Sequence, residues 1–432
     1  QRMLYKDLDR GAPERLLAET EKKLPTYKDL KLDLNMARGK PSPEQLDYVT
    51  ALFENVSMDT FMSEEGIDVR NYGGLYGLIE LRRVFGSMLK IEPESVWCLS
   101  SSSLTIEYDL LSRLMLFPLP GQSKAWRDLD EVKFLCPVPG YDRHFNMLDS
   151  FGIKMIPVPM NDEGPDMDVV EELCKKDSSI KGIWTVPMYS NPTGQSYSEK
   201  TLRRLLSMEA AEDFKVLADM AYAVHHLHED PAEQDPVYPL LDWSREEGHP
   251  DRVFVFASTS KMTYAGAGVA CLATSENNRA WLLPSLKSQM ISADKVNMLK
   301  HARLFRSLGG VESLMKAHAK VLGPKFELVL EAFDEKLGPT GIATWTRPKG
   351  GYFVTIWVYP GTASKVYARC KELGLSITDA GACYPYGKDP EDSALRIAPS
   401  YPHMDELREA INLFCLVVRE QALLKLLEES RS

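Results

Sequence analysis

The strongest constraint on the fold is an alternation of short apolar runs and helical patterns along the middle of the chain. Runs rich in β-branched and aromatic residues predict strands at 132–136, 153–158, 180–186, 214–218 and 253–257. Helical patterns occur between and beside them, at 141–151, 167–177 and 198–213. Strands that alternate with helices form a mainly parallel sheet, which binds ligands at the carboxyl ends of its strands. The sequence therefore predicts an α/β fold with a site at that edge.

A lysine stands at the end of the last of these runs. Lys261 follows three small hydroxylated residues, and a glycine-rich turn and a second apolar run come after it. Burying an ammonium group is costly, and desolvation lowers the pKa of a lysine. The resulting neutral amine can attack a carbonyl carbon. Lys261 is therefore a candidate catalytic amine, with a surface lysine at a strand end as the alternative.

Polar residues also follow the two preceding strands. Asn191 lies in an Asn-Pro-Thr-Gly segment, whose Asn-Pro bond is a candidate for cis, and Asp219 and Tyr222 lie in Asp-Met-Ala-Tyr. A buried carboxylate needs a cationic partner, and a protonated pyridine nitrogen is one. Asn191 and Tyr222 can donate to a phenolate oxygen, while Lys261 can form a Schiff base with an aldehyde. Together these residue types meet the requirements of pyridoxal phosphate.

Composition excludes several other classes of protein. The formal net charge of −11 argues against a nucleic-acid-binding surface, and no apolar run approaches the length of a membrane span. The first residues lack the apolar core of a signal peptide. The seven cysteines are scattered, without a Cys-x-x-Cys pair, which is typical of free thiols in a reducing compartment. We therefore expect a cytoplasmic protein.

The order of these motifs resembles a known family. Asn191-Pro-Thr-Gly, Asp219-Met-Ala-Tyr222 and Ser258-Thr-Ser-Lys261 are similar to the motifs of fold-type I, pyridoxal-phosphate-dependent class I/II aminotransferases. The Met-Thr-Tyr-Ala-Gly-Ala-Gly that follows resembles the branch related to MocR regulators, which includes divergent (type Ic) aspartate aminotransferases. The resemblance implies a large domain at 51–320 with a mainly parallel seven-stranded sheet. A smaller α+β domain would comprise 1–50 and 321–432.

The resemblance also implies roles for the residues around the cofactor ring. Lys261 would form the imine and act as the base of the proton shift, and Asp219 would keep the pyridine nitrogen protonated. Asn191 and Tyr222 would bond the ring oxygen. Tyr141, in Pro-Gly-Tyr-Asp-Arg-His, would stack on the ring, although a plain core role is the alternative.

A second group would hold the cofactor phosphate. Ser102 and Ser103 lie in a run of four serines at a predicted helix start, Ser258 and Ser260 precede the lysine, and Tyr72 would reach a neighbouring subunit's phosphate. This implies a homodimer. The serine run contains no glycine, which departs from the family pattern.

Two further features concern charge. The arginine that family members carry shortly after the lysine is absent from Ala265-Gly-Ala-Gly268, and Lys295 is our candidate replacement, with an ordinary surface lysine as the alternative. Arg396 would clamp the substrate α-carboxylate, or else form a structural salt bridge. Gly39 and Asn191 would complete the substrate site.

The function implied is transfer of an amino group from an L-amino acid to a 2-oxo acid by a ping-pong route, with L-aspartate and 2-oxoglutarate as the leading pair. Alanine, aromatic and aminoadipate-type donors stay open, because Arg38, Lys287 and Arg303 are only possible partners for a second carboxylate. A pyridoxal-phosphate-dependent lyase is an alternative. So is a MocR-like effector-binding domain, which is disfavoured because the family pattern begins almost at the first residue. The His-His-Leu-His segment at 225–228 lacks a carboxylate pattern, so we expect no metal site.

Overall fold

The computed structural model describes residues 11–432 and contains strands grouped in three sheets. The strands are β1 (Leu34–Asn35), β2 (Val96–Ser100), β3 (Lys133–Val138), β4 (Lys154–Asn161), β5 (Gly164–Pro165), β6 (Ile180–Thr185), β7 (Lys215–Asp219), β8 (Val253–Ser258), β9 (Ala270–Thr274), β10 (Thr344–Trp345), β11 (Val354–Trp357), β12 (Leu375–Ser376) and β13 (Ala394–Ile397).

Helices cover both faces of the largest sheet. They are α1 (Ala12–Asp29), α2 (Pro43–Glu54), α3 (Ile79–Leu89), α4 (Ser103–Leu116), α5 (Asp142–Ser150), α6 (Met167–Lys176), α7 (Glu199–Ser207), α8 (Leu240–Glu246), α9 (Glu276–Gln289), α10 (Lys295–Leu308), α11 (Glu312–Lys336), α12 (Ala363–Glu372) and α13 (Met404–Ser430). Within 11–432, none of them is both long and apolar enough to cross a bilayer.

The largest sheet confirms the predicted α/β class, with one correction to its size. Its order is β2-β9-β8-β7-β6-β3-β4-β5, and the five central strands from β8 to β4 are parallel. It therefore has eight strands rather than seven. The extra strand is β5, which turns back on β4 through two residue pairs. A two-residue strand carries no periodic pattern, so the sequence did not reveal it.

Strand β8 shows why the centre of this sheet is stable. All six of its residues are buried. Its valines pack with the core on one face, whereas Phe254 and Phe256 pack with the core on the other. Successive side chains of a strand point to opposite faces, so both faces of β8 lie under apolar layers. Burying each such side chain contributes about 1.5–3 kcal/mol, and this fixes the strand end that leads to Lys261.

Two smaller sheets are formed mainly by the C-terminal part of the chain. Strands β10, β11 and β13 form an antiparallel sheet in which Arg396 lies opposite Thr355. The sequence pattern at 350–358 also predicts a strand, but the observed β11 is shorter, because Gly350 and Gly351 form a turn against Tyr189. A Cβ atom on Gly350 would lie 2.2 Å from the ring of Tyr189, and Gly351 has a φ of +82°. The β1 strand pairs with β12.

Two helix predictions also need comment. The pattern at 198–213 gives the shorter helix α7, because the guanidinium of Arg252 binds its last carbonyl groups. Arg252 Nη1 donates to the carbonyl oxygens of Leu205, Leu206 and Met208 at 3.3, 3.2 and 2.9 Å. The chain leaves the helix at this cap. The sequence also has a helical pattern at 4–30, which corresponds to α1 from residue 12, and positions 4–10 lie outside the described residues.

Candidate active site

A cavity of about 170 Å³ lies where the parallel strands end. Nine of the residues singled out in the sequence line it: Ser102, Ser103, Tyr141, Asn191, Asp219, Tyr222, Ser258, Ser260 and Lys261. They come from segments that follow β2, β3, β6, β7 and β8. The convergence expected at the carboxyl edge of a parallel sheet is therefore present.

The lysine is held in this cavity by the turn that follows β8. The turn is fixed by the backbone bond from Thr259 N to Val269 O and by that from Met262 N to Thr259 O, both 2.9 Å long. The Lys261 ammonium lies 4.9 Å from the centre of the Tyr222 ring. Burial lowers the pKa of Lys261, and the charge of Asp219 opposes that change. The amine is thereby brought closer to the neutral form that a nucleophile or base requires.

Asp219 is buried at the end of β7 and accepts two hydrogen bonds. The N–H of Ala221 lies 3.0 Å from Oδ1, and Nε2 of His144 lies 3.0 Å from Oδ2. Burial disfavours the charged form, but the hydrogen bond and the charge of His144 outweigh it, so the pKa of Asp219 lies below its usual range. The site therefore presents a carboxylate to the cavity.

Two residues beside Asp219 were missed by the sequence analysis. His144 lies on α5, one turn after Tyr141, and its ring stacks on Trp184 with centroids 3.9 Å apart. Glu107 lies on α4 and is completely buried, with Oε2 3.3 Å from His144 Nε2. The available signal was an acidic residue on the apolar stripe of a helix, between Ile106 and Leu110. An acidic residue at such a position needs a partner, and the sequence could not identify it.

Three further side chains line the part of the cavity beside Asp219 and Lys261. Tyr141 precedes α5, and Tyr222 lies in the turn after β7. Burial raises the pKa of both phenols, so they are neutral hydrogen-bond donors. Asn191 is buried, and its peptide bond to Pro192 is cis, as expected. Its Oδ1 accepts from Arg396 Nη1 at 3.1 Å, which links this end of the cavity to β13.

The opposite end of the cavity has the chemistry of an anion site. Ser102 is the N-cap of α4, and its side chain makes no capping hydrogen bond, so the first N–H groups of the helix remain available there. Ser258 Oγ lies 3.2 Å from Ser260 Oγ. A helix N-terminus, hydroxyl groups, an amine and a buried carboxylate in one cavity fit the phosphate, aldehyde and pyridine nitrogen of pyridoxal phosphate.

Lys295 and Tyr72 do not line this cavity within the chain. Lys295 is buried at the start of α10, where its ammonium donates to the carbonyl of Asn71 at 2.6 Å and to Ser292 Oγ at 3.2 Å. It therefore fixes the segment that carries Tyr72. The Tyr72 side chain is 81% exposed. The roles predicted for these two residues at a phosphate remain predictions that require a second subunit.

Arg396 extends from β13 and is held by three protein acceptors. Its Nε donates to Thr378 Oγ1, its Nη1 to Asn191 Oδ1 and its Nη2 to Ala37 O, each at 3.1 Å. The guanidinium carbon also lies 4.4 Å from the centre of the Phe353 ring. Gly39 has no space for a side chain, because a Cβ atom would lie 2.2 Å from Phe353 Cζ. Because Gly39 has no side chain, the Phe353 ring can pack against it and still lie against the Arg396 guanidinium.

None of the cations considered for a second carboxylate lines the cavity among the residues that the structure describes. Arg38 and Lys287 are exposed. Arg303 donates to Ser57 O and to Thr60 Oγ1, both at 3.0 Å. The geometry of one chain thus gives no second guanidinium beside Arg396.

The chain is similar to known aminotransferases along nearly its whole length. The family model for aspartate amino-transferase matches residues 9–429. The chain is 44% identical over 395 residues to an aspartate aminotransferase of Corynebacterium glutamicum, covering 91% of this chain and 90% of that protein. The crystal structure of an aspartate transaminase from the same species has a TM-score of 0.94 at 41% identity, and covers 98% of this chain and 100% of that chain.

A more distant structure supports the fold alone. LysN, the α-aminoadipate aminotransferase of Thermus thermophilus, has a TM-score of 0.72 at 22% identity, and the match covers 98% of this chain and 99% of that one. The family expected from the motifs is confirmed by the family match and the two relatives from Corynebacterium. The chain belongs to the aspartate aminotransferase family of fold-type I, pyridoxal-phosphate-dependent aminotransferases.

Proposed function

We propose that this aminotransferase moves the amino group of L-aspartate to 2-oxoglutarate by a ping-pong route. The observation that carries the proposal is the placement of Arg396 beside Asn191, at the cavity that also contains Lys261 and Asp219. A planar guanidinium can bind an α-carboxylate through two parallel hydrogen bonds. The choice of aspartate is supported by the 44% identity to the aspartate aminotransferase of C. glutamicum.

Each residue has a defined task in this proposal. Pyridoxal phosphate, when bound, supplies an electron sink for the charge that develops at the substrate α-carbon. Lys261 Nζ would hold the cofactor aldehyde in the resting enzyme, and as a free amine it would accept the proton from the α-carbon. The Asp219 carboxylate would favour the protonated form of the pyridine nitrogen. Asn191 and Tyr222 would donate to the ring oxygen, and Tyr141 would cover the ring.

The phosphate would be held by neutral donors. These are Ser102 and Ser103 with the first N–H groups of α4, together with Ser258 and Ser260. Among the described residues that line the cavity, Lys261 is the one cationic side chain. Further charge or hydrogen bonding would come from Lys295 and Tyr72 of a second subunit.

We therefore propose a homodimer with shared sites. Support comes from the exposure of Tyr72 and from the Lys295 ammonium, which anchors the carbonyl of Asn71 next to it. Co-expressed Tyr72→Ala and Lys261→Ala subunits should form mixed dimers with one intact site, and should regain activity that neither variant has alone. Mixed dimers without recovered activity would contradict sharing, and an active monomer in light scattering would contradict the dimer.

The division into domains and the location in the cell complete the proposal. A large domain at 51–320 and a smaller one from 1–50 and 321–432 are supported by the pairing of Leu34 with Leu375, which joins the two ends of the chain. A cytoplasmic location is supported by the cysteines, all of which are free and buried.

The donor can be tested by measuring the first half-reaction with single amino acids. We expect kcat/KM for L-aspartate to exceed the values for alanine, an aromatic amino acid and 2-aminoadipate by at least about tenfold, or roughly 1.4 kcal/mol in transition-state binding. A higher value for any of the others would transfer the assignment to that donor.

A further inference from the structure

Glu107 is a buried acid for which the proposed mechanism provides no task. Its carboxyl group is 0% exposed, on a helix whose other inward residues are mostly apolar. Within residues 11–432, neither carboxyl oxygen accepts a hydrogen bond of good geometry, and its polar neighbours are His144 and the Asp219 carboxyl group. A buried carboxylate without a donor is costly, so its protonation state needs an explanation.

The explanation lies in the positions of the two carboxyl groups around one imidazole nitrogen. His144 Nε2 is 3.0 Å from Asp219 Oδ2 and 3.3 Å from Glu107 Oε2. A single N–H can align well with one acceptor, and the shorter contact is the one to Asp219. Two carboxylates facing the same nitrogen would also repel each other in a dry environment. The cluster is therefore stable when one of the two acids carries a proton.

The surroundings decide which acid is protonated. Asp219 accepts from the Ala221 N–H and from His144, whereas Glu107 has no backbone donor. Glu107, Asp219 and His144 act on one another electrostatically. Three further ionisable side chains lie near this cluster, namely Tyr141, Tyr222 and Lys261. Burial, and then the charge of Asp219, raise the pKa of Glu107 well above its usual range. For His144, burial alone would lower the pKa, but its hydrogen bond to the Asp219 carboxylate opposes burial and raises it.

We propose that Glu107 is a positioning residue: a permanently protonated acid that donates its proton to Asp219, and so keeps that carboxylate ionised where it faces the cavity. Asp219 would then have three donors: the Ala221 N–H, His144 Nε2 and the Glu107 hydroxyl, which lies in the same cluster. Several donors to one carboxylate stabilise its charged form. The proposal rests on the role of Asp219 toward the pyridine nitrogen, but the protonation of Glu107 can be measured without any cofactor.

Glu107→Gln and Glu107→Leu test whether residue 107 acts as a neutral hydrogen-bond donor or as a charged group. Glutamine keeps an N–H donor and no charge, whereas leucine removes the donor. Glu420 is a matched control, because it is also buried but is paired with Arg369 Nε at 3.1 Å, so Glu420→Gln removes an ionised acid.

Infrared spectra of the full-length protein, stripped of cofactor, test the protonation directly. At pH 8 we expect a protonated-carboxyl band in the wild type and in Glu420→Gln, and its loss in both Glu107 variants. In the same samples, ¹⁵N NMR of the histidines should show His144 with a pKa within about half a unit of the wild type in Glu107→Gln. A missing band, or a fall of the His144 pKa by more than about one unit, would show that Glu107 is ionised and would overturn the proposal.

The effect on Asp219 is measured in the enzyme loaded with pyridoxal phosphate. We expect Glu107→Gln to keep kcat/KM within about threefold of the wild-type value. In Glu107→Leu, Asp219 loses a donor, so the acid limb of the pH profile of kcat/KM should move upward by about one pH unit. Equal profiles for both variants would refute the link to Asp219. Binding of one metal ion per chain by Glu107, His144 and Asp219, with loss of that binding in Glu107→Gln, would also refute the proposal. If the cofactor does not bind at all, the proposed function fails while the infrared and NMR results still decide the state of Glu107.

Discussion

Arg396 gives the sharpest prediction about substrate binding. A guanidinium has five N–H donors, and in the structure three of them bind Thr378, Asn191 and Ala37. One N–H on each terminal nitrogen therefore remains for a ligand. This is the arrangement that a carboxylate needs for two parallel hydrogen bonds, and the three protein contacts fix its orientation in advance.

The size of the effect follows from those two hydrogen bonds. A hydrogen bond to a charged group contributes about 1.5–3 kcal/mol, so Arg396→Ala should cost about 3–6 kcal/mol, or roughly 10²–10⁴-fold in kcat/KM. Arg396→Lys keeps the charge but cannot reproduce the fork, and should lose about half of that free energy. Arg408→Ala, at an exposed pair with Asp405, is a control that should change nothing.

The assay compares an L-amino acid with the amine that lacks its α-carboxylate. Half-reaction rates are measured for both substrates with wild type and variants. The loss in Arg396→Ala should appear with the amino acid, and the slow reaction of the amine should change less than about threefold. Equal losses with both substrates would mean that Arg396 supports the fold of the site, and the clamp would be refuted.

Three more perturbations test other parts of the site. Lys261→Ala should lose at least about 10²–10⁴-fold in kcat, because proton transfer at the α-carbon is removed, while dialysis still detects bound cofactor; ordinary turnover would refute its role. Gly39→Ala should raise KM several-fold without loss of cofactor, because the new methyl group displaces Phe353 from beneath Arg396; an unchanged KM would argue against that support. Hydrogen bonding within the acidic cluster raises the pKa of His144 from 6.5 to about 9 against the opposing effect of burial, so its stabilisation is complete below 6.5 and is lost as pH rises through 9. The stability difference between wild type and His144→Phe should therefore shrink by up to roughly 3 kcal/mol between pH 6 and 10 in urea unfolding, and a constant difference would contradict this.

The parts of the site that the sequence predicted are those positioned by local patterns. The apolar run of β8 ends in small hydroxylated residues before Lys261, and a short apolar run in β7 precedes Asp219. A parallel sheet brings such ends together without further information. The ends of three strands, which lead to Asn191, Asp219 and Lys261, therefore sufficed to predict that these side chains meet in one cavity.

The parts that escaped prediction depend on contacts between distant segments. Glu107 on α4 meets His144 on α5 beside Asp219 at the end of β7, and no pattern in either helix identifies the partner. The Lys295 ammonium binds the carbonyl of Asn71, which precedes it by 224 positions. Such pairings are set by the tertiary packing, whereas periodicity describes one element at a time.

The most direct test of the account is the visible spectrum of the purified protein with bound pyridoxal phosphate, recorded before and after an excess of L-aspartate without any 2-oxo acid. We expect the absorbance band to change once, a stoichiometric amount of the corresponding 2-oxo acid to be released, and 2-oxoglutarate then to restore the original band. Lys261→Ala should show none of these changes on the same timescale. A wild-type band that responds to no amino acid, or no band at all after pyridoxal phosphate is supplied, would contradict the assignment of Lys261 and of the reaction.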